Sequence, residues 1–350
     1  MHDSVKKLRA VEVEPDEFSL IKPGELVDVV ELSPLTLNDR RIFNLLILNS
    51  WESITAPKEH CIHKRELRGS HNVNARVGDS ITRLMGTIAV LEIERAGKPY
   101  TRRVQLLSTT DEGHETDGLL FYSFSAALRT IIKNSTQYAK LQKDVMFALS
   151  SKYALALYEL VQKRGNLKHK TSEEFSLEKF RALLGVEKDK LRAFKSLKQR
   201  AIDPAVLEVN GLGEFGCKVE PIYKGRKVTA VRLSWWAKTL EEKKVTLREL
   251  RVSKIGRKAR LLGTVETIAP SAPQLAAPVT LPEKGWSGLT EAQSGSIRNT
   301  FPGIDIQEME RQFVEWNRAK RVEPDNYCAA LYGFIRGKLK QARGTHNEAN

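Results

Sequence analysis

At 350 residues and 41% hydrophobic, the chain is long enough for two or three domains with buried cores. Its 57 Lys and Arg against 43 Asp and Glu leave a net charge of +14, which favours an anionic partner, nucleic acid or a membrane surface. No apolar run is long enough to span a bilayer, the first residues carry no apolar leader, and three scattered cysteines (Cys61, Cys217, Cys328) suit unpaired thiols, so a reducing cytoplasm is expected, with no membrane partner.

Residues 1–30 are weakly patterned and read as an N-terminal arm ending in a short strand over 26–30. A helix is expected over 37–51. Thr36 followed by Asp39 has the shape of a capping box, and Ile42, Phe43, Leu45, Leu46, Ile47 and Leu48 surround the axis, so this helix is buried. Residues 64–67 form a short helix, 69–74 a turn, and 75–85 a helix with Val77, Ile81, Leu84 and Met85 on one stripe. Residues 88–93 and 102–107 read as two strands. A helix, a helix–turn–helix and a two-stranded ribbon follow in the order of a winged helix. A strand over 119–123 and helices over 125–132 and 138–147 complete this first unit, 31–147. On its helix–turn–helix, Asn72, Asn74, Arg76 and Arg83 suit base edges and phosphates, with a protein-facing surface as the competing reading.

The same order repeats over 148–238. Residues 151–163 form an amphipathic helix, and Ser176 caps a second over 177–184 that stops at Gly185. From Lys190 to Arg200 there are five cations and no acid. Leu191, Phe194, Leu197 and Ala201 recur at helical spacing, and Arg192, Lys195, Lys198, Gln199 and Arg200 populate the other side. Alone, such a basic face is as compatible with plain solvation as with DNA. Between a capped helix and a hairpin it reads as a recognition helix. Asp203-Pro204 predicts a kink or restart there. The hairpin over 217–233 turns at Lys224-Gly225-Arg226-Lys227, and Lys224, Arg226 and Lys227 tip this wing. Pro221 marks its first strand as an edge strand.

Residues 239–284 read as a basic and then Pro- and Ala-rich linker. Beyond it, 285–350 form a small helical domain with a basic end. Ile306, Met309, Phe313 and Trp316 mark one helix, and Tyr327, Ala330, Leu331 and Phe334 another. The fold class expected is therefore α+β, two tandem winged helices and a helical tail.

Motifs for chemistry are weak. Gly211-Leu-Gly213-Glu-Phe-Gly216 follows a helix and opens a hairpin, the wrong context for a dinucleotide fingerprint. His60-Cys61-Ile62-His63 lacks a second ligand pair with metal-finger spacing and lacks the histidine spacing of a nickase. There is no Walker A loop. The chain is read as a non-enzymatic protein without cofactor or metal.

The stretch 151–160 (Ser-Lys-Tyr-Ala-Leu-Ala-Leu-Tyr-Glu-Leu), Leu183-Leu184-Gly185, Phe194 with its basic run, Ile202-Asp203-Pro204-Ala205, Glu208-Val209-Asn210 and Lys224-Gly225-Arg226-Lys227 together resemble the iteron-binding plasmid replication initiators with two winged-helix domains. The resemblance covers 145–235, and 30–145 more loosely through 35–51 and Arg83-Leu84-Met85; the linker and tail lie outside it. It implies binding of double-stranded DNA at direct repeats of a plasmid origin, origin opening, and recruitment of a host initiator and replicative helicase. It further implies a homodimer, formed through the first winged helix, that binds an inverted repeat and represses its own gene. A winged-helix transcription regulator and a nicking enzyme are the competing readings.

Overall fold

A computed structural model describes residues 8–33, 35–68, 77–113, 118–167, 169–264, 289, 291–301, 304–320, 324 and 326–344. The chain forms two compact units, Met1–Glu266 and Thr267–Asn350.

In chain order the first unit holds β1 (Ser19–Pro23), α1 (Gly24–Val27), β2 (Val30–Glu31), α2 (Leu37–Ser50), β3 (His60–His63), α3 (Lys64–Leu67), α4 (Val77–Gly86), β4 (Ile88–Arg95), β5 (Lys98–Gln105), β6 (Thr109–Glu112), β7 (Leu119–Ser123), α5 (Ala126–Asn134), β8 (Tyr138–Gln142) and α6 (Lys143–Ala148). There follow α7 (Lys152–Gly165), β9 (Ser172–Ser176), α8 (Leu177–Leu183), α9 (Phe194–Leu197), a π-helical turn (Lys198–Ile202), α10 (Asp203–Leu212), β10 (Phe215–Lys224), β11 (Lys227–Ala237), α11 (Leu240–Arg251) and α12 (Arg257–Leu261).

The two halves share one plan. In the second half the sheet order is β10-β11-β9, and in the first it is β3-β7-β6. In each half a strand leads directly into the first helix of the helix–turn–helix (β3 into α3, β9 into α8) and then pairs with the second strand of the wing hairpin. The wing of the first domain is therefore β6 and β7. The ribbon expected as that wing, β4 and β5, is an insertion that pairs with β2 in a sheet of its own.

Three other readings change. The N-terminal segment is not a loose arm with a strand at 26–30. Leu20, Ile21, Leu26 and Val27 are core, β1 pairs with β8, and residues 24–27 are helical. The expected helix over 138–147 starts as that strand, because alternating Ala139 and Leu141 are buried against β1 before α6 begins. Residues 240–261 are folded rather than linker. Thr239 makes a full capping box with Glu242, and Glu249 accepts hydrogen bonds from Arg257 and Arg260 at 2.7 to 3.0 Å in a nearly closed site. The Pro-rich segment 265–284 lies outside the described residues.

The capping box at Thr36 and Asp39 forms as expected, and α2 is buried along most of its length. One continuous apolar core runs through both winged helices. Polar contacts then fix the second against the first. Lys22 of β1 meets Glu159 of α7 at 2.8 Å, with both side chains almost fully buried, and Asn44 of α2 donates to the other Glu159 oxygen at 2.8 Å. Arg41 of α2 donates to the carbonyls of Met146, Phe147 and Leu149, the connection between the domains. A lysine and a carboxylate buried this deeply are tolerated only as a pair.

The second unit is built on α13 (Glu291–Thr300), α14 (Ile306–Lys320) and α15 (Tyr327–Gly344). Ile297, Ile306, Phe313, Leu331 and Ile335 form its core. Trp316, expected on the core stripe, is 42% exposed.

Candidate nucleic-acid interface

The second winged helix places its basic residues through local chemistry. Ser176 caps α8 by accepting from the Lys179 amide. The helix ends in a Schellman arrangement: Gly185 at φ +69° donates to Ala182, and Val186 donates to Arg181. A turn follows in which Leu191 sits at φ +51°, where few non-glycine residues lie. The Arg181 guanidinium holds that turn by donating to the Lys190 and Leu191 carbonyls at 2.5 and 2.6 Å. The helix expected to read DNA starts only at Phe194, later than the apolar spacing from Leu191 suggests, so Arg192 lies before it rather than on it.

From Phe194 the chain is helical to Leu212. Asp203-Pro204 neither caps nor breaks it, since Ile202 and Asp203 both keep right-handed helical angles. The physical reason is the π-helical turn, in which the Asp203 amide donates to Lys198 five residues back. A proline ring crowds the carbonyl four residues before it, here Arg200, and a widened turn relieves that crowding. Ala201, Ile202, Ala205 and Val209 bury one side, while Lys195, Gln199 and Arg200 stand exposed on the other. Lys198 is half-buried and bonded to both Asp203 oxygens, at 2.8 and 2.7 Å. Arg192 pairs with Asp189 at 2.6 Å, fully in solvent.

The wing turns on Gly225 at φ +64°, between the facing residues Lys224 and Lys227. A two-residue loop with positive φ only at its first position is a type II′ turn, which suits glycine there. Lys224, Arg226 and Lys227 are exposed and form no ion pair with a described residue, and the same holds for Lys195 and Arg200. Five cations without an acidic partner among the described residues thus lie on this helix and its wing. Tyr223, 62% exposed beside the wing tip, and the turn lysines Lys188 and Lys190 join them. The unbroken cationic run already hinted at Lys190. Arg181, which positions the turn, left no signal at all. Pro221 sits on β10, which among the described strands pairs with β11 alone, the edge position expected.

The first helix–turn–helix is different. Arg83 makes a two-point pair with Asp39, both bonds 2.8 Å. Burial alone would raise the Asp39 carboxyl, but Arg83, Ser80 and Thr36 together hold it below its ordinary value. Arg83 therefore ties α4 to α2. Asn72, Asn74 and Arg76 lie outside the described residues.

Other motifs resolve as structure. His60 and His63 point to opposite faces of β3; His60 is buried against Tyr122 and Phe124, and burial lowers its pKa. No cluster of metal-ligating side chains exists among the described residues. Trp235 is core and Trp236 stays at the surface beside Gly216. Among the described residues no helix is long and apolar enough to cross a membrane.

The profile described as "Initiator Replication protein, WH1" matches residues 20–162, and that described as "Initiator Rep protein, WH2" matches 176–235. No curated protein matches the chain. Among solved structures, the Pi initiator protein in complex with iteron DNA is similar, at 13% identity and a TM-score of 0.44, over 64% of this chain and 99% of that one. Domains 2 and 3 of RctB give 12% identity and a TM-score of 0.37, over 64% and 94%.

Proposed function

The chain belongs to the initiator replication protein family, with both of its winged-helix domains, and from that premise we propose that it binds direct repeats at a plasmid origin and starts replication there. The observation that carries this is the second winged helix, where Lys195, Gln199 and Arg200 of the helix from Phe194 and Lys224, Arg226 and Lys227 of the wing face solvent without an acidic partner among the described residues.

In this reading the exposed side of α9 and the π-helical turn enters a major groove. Arg200 and Gln199 suit bidentate contacts to guanine and adenine edges, and the wing cations take flanking phosphates. Lys198 exchanges Asp203 for a phosphate on binding. The first winged helix meets a second groove roughly 10 bp away, so a repeat of about 20 bp follows. The shared core and the buried Lys22–Glu159 pair support this spacing, because they hold the two domains in one arrangement. The resemblance further supports autorepression by a homodimer on an inverted repeat, and transfer of the opened origin to a host initiator and replicative helicase.

Footprinting the purified protein on DNA flanking its own gene tests the proposal. Protection of direct repeats is expected. A lone protected inverted repeat points to a transcription regulator, and a covalent tyrosyl–DNA product to a nicking enzyme; either result overturns it. Lys195→Ala with Arg200→Ala should remove sequence-specific protection while leaving the melting temperature unchanged.

A further inference from the structure

We propose that the helical tail carries a separate binding site for single-stranded nucleic acid, built on Trp316 and Phe334 and rimmed by Lys320 and Lys338. The tail lies beyond residue 235, where the family match ends.

The core of this unit closes without Trp316, whose indole is 42% exposed. Its ring lies 5.8 Å from that of Phe334, and Phe334 is backed by Phe313 at 5.4 Å. An aromatic shelf therefore stands at the surface. The Lys320 ammonium sits 4.6 Å from the centre of the Trp316 ring, and that of Lys338 sits 5.6 Å from the Phe334 ring. Neither lysine forms an ion pair with a described residue. Residues 316–321 and 334–344 contain Arg318, Lys320, Arg321, Arg336, Lys338, Lys340 and Arg343 and no acid. The acids of α14 have partners of their own: Glu308 and Glu315 pair with Arg311, and Glu310 accepts from the Tyr327 hydroxyl. Gly333 and Gly337 flank Phe334 on α15 with open space where side chains would stand. Glycine is unfavourable inside a helix, and here no packing in the structure requires it.

An aromatic shelf with cations at its edge matches one chemistry closely. Unpaired bases stack on the rings, and the phosphates between them meet the lysines. A duplex keeps its base faces stacked inside and would leave the shelf unused. The inference rests on the initiator reading in one respect, since origin opening is what supplies a single strand.

The test uses the full chain and fluorescence anisotropy, with a labelled oligo(dT) of about 16 nucleotides and, separately, the protected duplex repeat. Trp316→Ala should weaken oligo(dT) binding about tenfold, Trp316→Tyr should keep most of it, and both should bind the duplex as the parent does. Lys320→Ala with Lys338→Ala, two surface changes that leave the core untouched, should give a comparable loss and a shallower salt dependence. Unchanged oligo(dT) affinity in these variants, or equal loss on both DNAs, overturns the tail site. So does loss of plasmid maintenance with oligo(dT) binding intact, which would assign the shelf to a protein partner. Tail-dependent oligo(dT) binding in a protein that ignores every duplex repeat would instead overturn the initiator reading and leave the tail site standing.

Discussion

Two buried residues carry much of the joint between the winged helices. Glu159 accepts from Lys22 and Asn44, and each oxygen has one partner. Glu159→Ala should destabilise the protein by ~3–5 kcal/mol, because it strands a buried ammonium, whereas Lys22→Met with Glu159→Met should recover most of that loss. Denaturant unfolding of the single and double variants checks this. His60 makes a second residue-scale prediction. Burial first, then Lys58 and Arg129, lower its pKa, so the folded protein binds this proton less well than the unfolded chain. Its contribution is complete above the ordinary histidine value of 6.5 and is lost as pH falls from there toward the folded value. Asp28 and Asp39 are also held low, despite burial that opposes it, by Arg164 and Lys163 and by Arg83, Ser80 and Thr36 respectively. Their stability is present above the ordinary carboxylate range and disappears only below it. Thermal melts against pH should show two separate declines, and His60→Gln should remove the upper one.

In the proposed function the helix from Phe194 is the element that meets DNA, and its geometry depends on a widened turn and a clamped approach. Pro204→Ala removes the crowding at Arg200 and lets the π-helical turn tighten. That rotates Gln199 and Arg200 relative to the buried side of α10. Affinity for the repeat should fall about tenfold, near 1.4 kcal/mol, with the fold retained. Arg181→Ala frees the turn containing Leu191 and should weaken binding several-fold with little change in melting, a pattern that separates positioning from contact. Replacing Lys224, Arg226 and Lys227 with alanine should make the slope of log K against log salt shallower by about 2 to 3 units, if each wing cation meets one phosphate. Binding titrations at several salt concentrations measure all three effects.

At the scale of the whole molecule, the first compact unit extends past the second wing. Lys238, at the end of β11, donates to the Asn210 and Gly213 carbonyls and to Thr246 of α11. Arg257 of α12 reaches Ala148 and Lys254 reaches Phe147, on the connection between the domains. Glu208 of α10 accepts from Ser150 on the same connection. A chain ended after Glu266 should therefore melt like the parent, and one ended after Ala237 should melt several degrees lower and bind the repeat more weakly.

Residue type and spacing alone determined much of this. The buried α2 with its capping box, the helix ended at Gly185, the edge strand at Pro221 and the cationic wing turn are each set by local rules, and local rules are written in consecutive residues. Together they also carried the two winged helices and the family. Contacts between distant residues decided the rest. The first wing is β6 and β7 because β3, dozens of residues earlier, pairs with β7. The segment 138–142 is a strand because β1 offers it an edge. Arg83 is held by α2 because Asp39 lies across the helix packing. Asp203-Pro204 carries the sequence signature of a helix start, yet the apolar side running from Ala201 through Val209 is buried as one surface. That burial favours a continuous helix, and the π-helical turn is how the backbone accommodates the proline.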